Sequence, residues 1–140
     1  MNYKQLLFAT LGAFVTFFVL NFLWYQFVMG SFYEANYGLN SSIRTPPLMG
    51  GFMISYLISG LVMAYMFPKW SRGYYSLKQG AIFGLLAGAL ANLSMNIQTF
   101  SILDVMTPKV LIVDSLYGLA MMAIVGIVIA LIYQKMTPAS

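Results

Sequence analysis

Asp114 is the single charged residue inside the four long apolar runs that make up most of this 140-residue chain. A charge at the centre of a hydrocarbon layer costs roughly 2.5–3.5 kcal/mol even on lenient insertion scales, so such residues face a partner or a wet cavity. A carboxylate held there can serve as a proton acceptor, a cation partner or a hydrogen-bond hub, and each role needs polar neighbours. The sequence offers them at helical spacing. Asn92 and Asn96 are four apart, Thr99 follows after three more, and Tyr117 lies three after Asp114, so each set shares one helix face. Asn21, Trp24 and Tyr25 stand toward the end of the first apolar run.

Catalysis finds little support in the same inventory. The chain has no cysteine and no histidine, which removes thiol chemistry, haem ligation by either residue, the usual zinc sites and imidazole acid–base work. A reaction would have to run on Asp114, Tyr117 and Tyr25 without a second buried carboxylate, since Glu34 and Asp104 fall in loops. No catalytic residue, metal site or cofactor is expected, and the protein reads as non-enzymatic. The eleven methionines read as flexible apolar filler.

The elements that must position these residues follow from composition. With 61% hydrophobic and 7% charged residues, the chain is far from a soluble domain, where charged residues make up about a quarter. Uninterrupted apolar windows at 6–29, 47–67, 79–103 and 110–133 each reach the roughly 20 residues that cross a hydrocarbon core about 30 Å thick. The expected fold is all-α: a polytopic membrane protein, one domain over residues 1–140, built as a four-transmembrane-helix bundle. Lys4, Lys69, Arg72, Lys78 and Lys135 fall on one side of that topology and Arg44 and Lys109 on the other, so the positive-inside rule puts both termini in the cytoplasm. The net charge of +4 is therefore read as topology, and no nucleic-acid partner is expected. The first window begins like a signal peptide but runs too long and has no small-x-small cleavage site, so it is read as an uncleaved helix.

Along the chain, Trp24 and Tyr25 suit a membrane-interface belt. The outer connection, 30–46, carries Phe32, Tyr33, Tyr37 and Leu39 and is expected to fold back over the bundle's mouth; its Asn40-Ser41-Ser42 sequon matters only in a eukaryotic secretory setting. Helix 2 should open after Thr45-Pro46-Pro47 with Thr45 as its cap, pack inward through Gly51, Ser55 and Ser59, and stop near Pro68. The loop that follows pairs Trp70, Tyr74 and Tyr75 with Lys69, Arg72 and Lys78, an aromatic and basic anchor. Helix 3 repeats Gly80, Gly84, Gly88, Asn92 and Asn96 every fourth residue, a close-packing seam that turns into a polar surface, with Gln98 on another face. Helix 4 opens after Thr107-Pro108 and carries Asp114, Gly118, Gly126 and Ala130 at the same spacing; the shared Thr-Pro openings hint at a duplicated hairpin. Glycine rows on helices 2, 3 and 4 are expected to hold the bundle, while Gly126 and Ala130 face a neighbour in a homo-oligomer.

Alternate threading puts Asn21, Ser55, Tyr56, Asn92, Asn96, Thr99, Asp114, Ser115 and Tyr117 in the central or outer half, against an inner half of apolar residues and glycine. Three readings stay open. The polar groups can form an interhelical hydrogen-bond layer that sets register, each bond contributing about 0.6–2 kcal/mol. They can line a pocket open to the outside, with Asn21, Trp24, Tyr25, Asn92, Asn96, Asp114 and Tyr117 as ligand-binding residues. Or a tilted helix can leave Asp114 in the headgroup zone, because it lies only about 7 Å deeper than Lys109.

Leu23-Trp24-Tyr25 followed by Met29-Gly30, a glycine-rich third helix, and Asp114-Ser115-Leu116-Tyr117 early in the fourth carry a resemblance. The chain resembles a family of small four-helix bacterial membrane proteins known only as a domain of unknown function, which implies a bacterial inner-membrane location and supplies no activity to carry over. It is less similar to the five-helix tryptophan-rich sensory family and to small multidrug transporters, whose first-helix glutamate it lacks. Two functions are expected as alternatives. One is a membrane protein that binds or passes a small amphipathic or lipid-like ligand at an outer-half polar pocket; the other is a structural subunit of a larger membrane complex with no ligand of its own. Membrane lipids are the expected partners in both, with a homo-oligomer or a larger assembly around them.

Overall fold

A computed structural model describes residues 2–37 and 48–137. Its elements are α1 (Tyr3–Phe22), a π-helical turn (Leu23–Val28), α2 (Gly30–Asn36), α3 (Met49–Trp70), α4 (Leu77–Gly88), a second π-helical turn (Ala89–Leu93), α5 (Ser94–Ile102) and α6 (Pro108–Met136). Among the described residues four spans are long and apolar enough to cross a membrane: Tyr3–Val28, Met49–Trp70, Leu77–Ile102 and Pro108–Met136. The all-α, polytopic reading therefore holds. The Thr45-Pro46-Pro47 opening, the sequon, Leu39 and Arg44 lie outside the described residues.

Local chemistry sets where the helices begin. Asn2, Ser76 and Thr107 each accept a backbone N–H of the first turn, from Lys4, Gln79 and Val110 respectively. Each bond satisfies a donor that has no partner within the helix. Pro108 occupies the first turn of α6, where its missing N–H costs nothing. Between α3 and α4 the chain reverses through Arg72 and Gly73, both in the left-handed region at φ 51° and 83°. With α1 and α4 rising and α3 and α6 descending, both described chain ends lie at one end of the bundle, hereafter the terminal end. There the Gln5 amide donates to the Met136 carbonyl at 3.0 Å.

α6 is the spine. It packs on α4 and α5 on one side and on α1 on another, and α3 completes the bundle by packing on α1. The α4–α6 contact is a small-residue seam. A Cβ on Gly80 would come within 2.5 Å of the Gly126 carbonyl oxygen and 2.7 Å of the Ala130 Cβ, and one on Gly84 would overlap the Met122 carbonyl. Backbone therefore meets backbone along α4, as the glycine row of helix 3 predicts. Beside the seam, Phe17, Phe67, Phe83, Val125, Ile129 and Tyr133 fill the core.

Two expectations need correction, and a third is refined. Gly126 and Ala130 do not face a neighbouring copy; both are buried against α4. On α3, Gly51 and Ser55 are exposed, and the inward face instead carries Gly60, Met63, Ala64 and Phe67. The close approach to α1 is made at Gly60, whose Cβ position lies 3.1 Å from the Thr10 carbonyl oxygen and 3.2 Å from the Ala13 Cβ. Lastly, the end of α3 lies two residues beyond Pro68, at Trp70, so the proline falls inside the helix.

Proline inside a helix removes the N–H that would bond the carbonyl four residues back. For Pro68 that carbonyl belongs to Ala64, which is fully buried. The Tyr133 hydroxyl, from α6, donates to it at 2.8 Å. One tertiary hydrogen bond thus replaces the missing ladder bond and lets the helix run on. Tyr133→Phe should lower stability by roughly 1–2 kcal/mol, the range for a buried polar group that loses its partner. In a Pro68→Ala background the helix supplies its own N–H, so the same change should cost markedly less when unfolding is followed in detergent. Equal losses in both backgrounds would show that the hydroxyl does not serve the carbonyl.

Candidate functional site

Two π-helical turns shape the distal half of the bundle, the half away from the chain ends. In a straight α-helix each step of four residues overshoots a full turn by about 40°, so the four steps from Gly80 to Asn96 would accumulate about 160°. A π turn takes in one extra residue and returns on the order of 100° of that drift. The turn Ala89–Leu93 lies on this stretch. Gly80, Gly84 and Gly88 therefore face α6 below it, and Asn92 within it and Asn96 above it still reach α6.

The other π turn, Leu23–Val28, closes with the Met29 N–H bonded to the Trp24 carbonyl at 2.9 Å. The chain then folds back as α2. Gly30 permits this, since a Cβ there would come within 2.8 Å of the Tyr25 carbonyl oxygen. The reversal delivers Tyr33, only 3% exposed, onto the bundle. The segment after α2 is tied to the start of α6 by the Thr107 N–H on the Asn36 carbonyl at 3.4 Å and by an antiparallel bridge between Tyr37 and Met106. The expectation that the outer connection folds back is met over the part described, to Tyr37.

Asp114 sits at the meeting point. Its Oδ1 accepts the Tyr25 hydroxyl at 2.5 Å and the Tyr33 hydroxyl at 3.1 Å, and its Oδ2 accepts the Asn96 amide at 2.7 Å. Three neutral donors from three different elements thus converge on one carboxylate. Asn96 also lies within bonding reach of Asn92 Oδ1 and Ser115 Oγ, both at 3.3 Å. The Trp24 indole donates to the Tyr33 oxygen at 3.1 Å, which orients that phenol. Burial, with the nearby Asp114 charge adding to it, pushes Tyr33 up to about 12, so it remains a hydroxyl donor at neutral pH.

Aromatic rings surround the carboxylate. Trp24 stacks on Tyr117 at 4.3 Å with 5° between the planes, Tyr25 meets Tyr117 edge-on at 5.9 Å, and Tyr25 and Tyr33 are tilted at 5.0 Å. Asn21 links the ring cluster to the core. It accepts the Tyr117 hydroxyl at 3.4 Å and donates to the Phe17 carbonyl at 2.9 Å and to Met121 Sδ at 3.2 Å.

The seven residues singled out in the sequence, Asn21, Trp24, Tyr25, Asn92, Asn96, Asp114 and Tyr117, are therefore contiguous. Tyr56 approaches from α3 by stacking on Phe17 at 5.9 Å, whereas Ser55 is exposed and stays outside the layer. Tyr33 is the member that sequence reasoning left in a loop. Its signal was weak: a hydroxyl-bearing ring nine residues after Trp24, in a connection too aromatic for a free linker.

Among the described residues no basic side chain bonds to Asp114; its carboxylate is held by neutral donors, with ring faces of several orientations beside it. Among the described residues no group of His, Cys, Asp or Glu side chains is assembled that could hold a metal ion. At the terminal end an open apolar groove of about 610 Å³ runs between α1 and α6, lined by residues such as Leu11, Val15, Val128 and Ile132 with Lys135 at its edge. Such a surface suits acyl chains of the surrounding lipid.

The chain belongs to the family described as predicted membrane protein (DUF2177), whose model matches residues 6–131. No curated protein and no solved structure matches it. Together the family and the four apolar spans make it an integral membrane protein.

Because Asn96 and Asp114 belong to one network, their substitutions should not add. Asn96→Ala and Asp114→Ala, alone and together, should show a coupling of roughly 0.6–2 kcal/mol in unfolding from mild detergent. Additive losses would mean that the amide and the carboxylate do not depend on one another.

Proposed function

We propose that this member of the family is a non-enzymatic membrane protein that binds, or passes, a small amphipathic ligand at the Asp114 layer. The observation that carries the reading is the carboxylate itself. It is retained in an apolar bundle, held by neutral donors, and edged by Tyr25, which is 36% exposed on the bundle's outside. Intramembrane carboxylates mark ligand and ion sites more often than they serve stability. The two π turns at the layer fit the same reading, since such insertions recur at functional sites.

In the proposed orientation both termini are cytoplasmic, in a bacterial inner membrane. Lys4, Lys69, Arg72, Lys78 and Lys135 all belong to the terminal end, and Lys109 to the distal one. The Asp114 layer then lies in the outer half. A second reading, an accessory subunit that stabilises a homo-oligomer or a larger complex, draws support from a different fact. Among the described residues every buried side-chain nitrogen and oxygen has a hydrogen-bond partner, as an architectural layer requires.

The chain has two tryptophans and no cysteine, and both facts make the tests clean. Trp70→Phe leaves Trp24, stacked on Tyr117, as the only indole emitter. Single-chain amphiphiles titrated into that variant in neutral micelles should change its emission saturably for at least one headgroup, and Asp114→Ala should abolish the response. A flat titration with every headgroup would favour the accessory reading. For orientation, Glu34→Cys should react with an impermeant maleimide on intact cells while Tyr74→Cys reacts only after lysis. The opposite pattern would place the layer on the cytoplasmic side.

A further inference from the structure

The bonds to Asp114 leave part of its capacity unused. Among the described residues Oδ1 takes two donors, from Tyr25 and Tyr33, and Oδ2 takes one, from Asn96. A carboxylate oxygen accepts about two, so Oδ2 has room for another donor. None of the three groups present carries a positive charge. They stabilise the carboxylate by hydrogen bonding and leave its field uncancelled by any bonded cation among the described residues.

The surrounding rings add to that field. The face of an aromatic ring is negative, and cations are held over it, most strongly over Trp and Tyr. Here the planes are not parallel throughout. Tyr25 stands at 83° to Tyr117 and 45° to Tyr33, so the rings form walls that meet at angles. Tyr37 extends the cluster from Tyr33 at 6.4 Å. A corner of ring walls with a carboxylate beside it is chemistry for a cation with an apolar coat.

We propose that the ligand of the Asp114 layer is an organic ammonium cation carrying an alkyl chain, its charged head beside Asp114 and Tyr25 and its chain lying outward along the bundle. This rests on the binding reading above and sharpens it to one charge type. A divalent metal is the poorer fit, because calcium and magnesium take six or more oxygen ligands and the layer offers one carboxylate whose neighbours point hydrogens at it. An anion would meet the Asp114 charge with no described base bonded into the layer to offset it.

The route and the tail follow from exposure. Tyr25 is an open ring at the edge of the layer that bonds Asp114, whereas Tyr33 is buried. Beside Tyr25 on the outside of the same segment are Phe22, Phe27 and Val28, all exposed, with the two Phe rings edge to face at 5.7 Å. An alkyl chain leaving the head past Tyr25 would lie on that apolar surface, level with lipid chains. The head can belong to a free alkylamine or to the ammonium group of a zwitterionic lipid; both present the same chemistry.

The test uses the Trp70→Phe protein in neutral maltoside micelles, with Trp24 emission as the readout. The probes are decyltrimethylammonium, a short-chain phosphatidylcholine, decyl sulfate and a nonionic decyl glycol. The ammonium probe should saturate the signal at a concentration at least tenfold lower than the sulfate or the glycol. Asp114→Asn, which keeps the shape and removes the charge, should raise that concentration at least tenfold. Saturation by both the ammonium probe and phosphatidylcholine would assign the head to a lipid; saturation by the ammonium probe alone would assign it to a free amine.

Tyr25→Leu and Tyr25→Phe serve as a second pair at the edge of the layer, where Tyr25 is 36% exposed. Loss of a ring face should weaken the ammonium probe several-fold more in the first than in the second, since both lose the hydroxyl bond to Asp114 and only the first loses the ring. Equal binding of ammonium, sulfate and glycol, or an ammonium affinity unchanged in both Asp114→Asn and Tyr25→Leu, would overturn the charge assignment and leave the binding reading standing. No saturable response to any probe would overturn both.

Discussion

Within an apolar bundle no water replaces a missing hydrogen bond, so every buried carbonyl, hydroxyl and carboxylate must be satisfied by the protein itself. Much of this structure is arranged around that demand. Pro68 opens a gap in α3, and Tyr133 reaches across from α6 to close it at the Ala64 carbonyl. Asp114 brings a carboxylate into α6, and the first π turn, α2 and α5 each supply a donor to it. The requirement for partners links helices that the apolar effect alone would not place in register, because lipid is as good a solvent for their side chains as each other.

The two halves of the bundle meet this demand differently. Toward the terminal end α4 and α6 approach through glycine, backbone against backbone, and the contact is made of close packing. Toward the distal end the π turn and α5 set amide side chains on α6 instead, Asn92 against Gly118 and Asn96 against Asp114 and Ser115. The π turn at Ala89–Leu93 lies where one regime passes into the other. It lets one residue row serve both purposes. A rigid seam and a polar layer on a common pair of helices put the layer on a firm footing, as a binding site requires.

The layer also differs from a purely architectural bond set in how it is closed. Tyr133 and Ala64 are sealed in the core, as a bond that only holds the fold should be. The Tyr25–Asp114 bond lies at the bundle's edge, between a π turn and an aromatic reversal, with apolar surface beside it. A hydroxyl at such an edge can exchange its carboxylate for another partner without disturbing the core. That difference in position, together with the carboxylate itself, is why the functional reading attaches to Asp114.

Hydropathy and length are local properties, so the four spans, the Thr107-Pro108 opening of α6 and the glycine row of α4 could be read directly from the chain. Spacing also placed Asn92 and Asn96 on one face and made Asp114 conspicuous, and the seven residues named from sequence do lie together. The inward face of α3 could not be read in that way. Its sides are about equally apolar in a membrane helix, and the row Gly51, Ser55 and Ser59 looks as suitable for packing as Gly60, Met63 and Ala64. Only the contact of Gly60 with α1 decides between them. The role of Gly126 and Ala130 was equally undetermined, because small residues signal close approach without saying whose backbone approaches. Tyr33 became a ligand of Asp114 through a chain reversal at Gly30, and Tyr133 the partner of Ala64 across 69 residues. Pairings of that kind depend on where distant elements come to rest, and tertiary packing alone sets that.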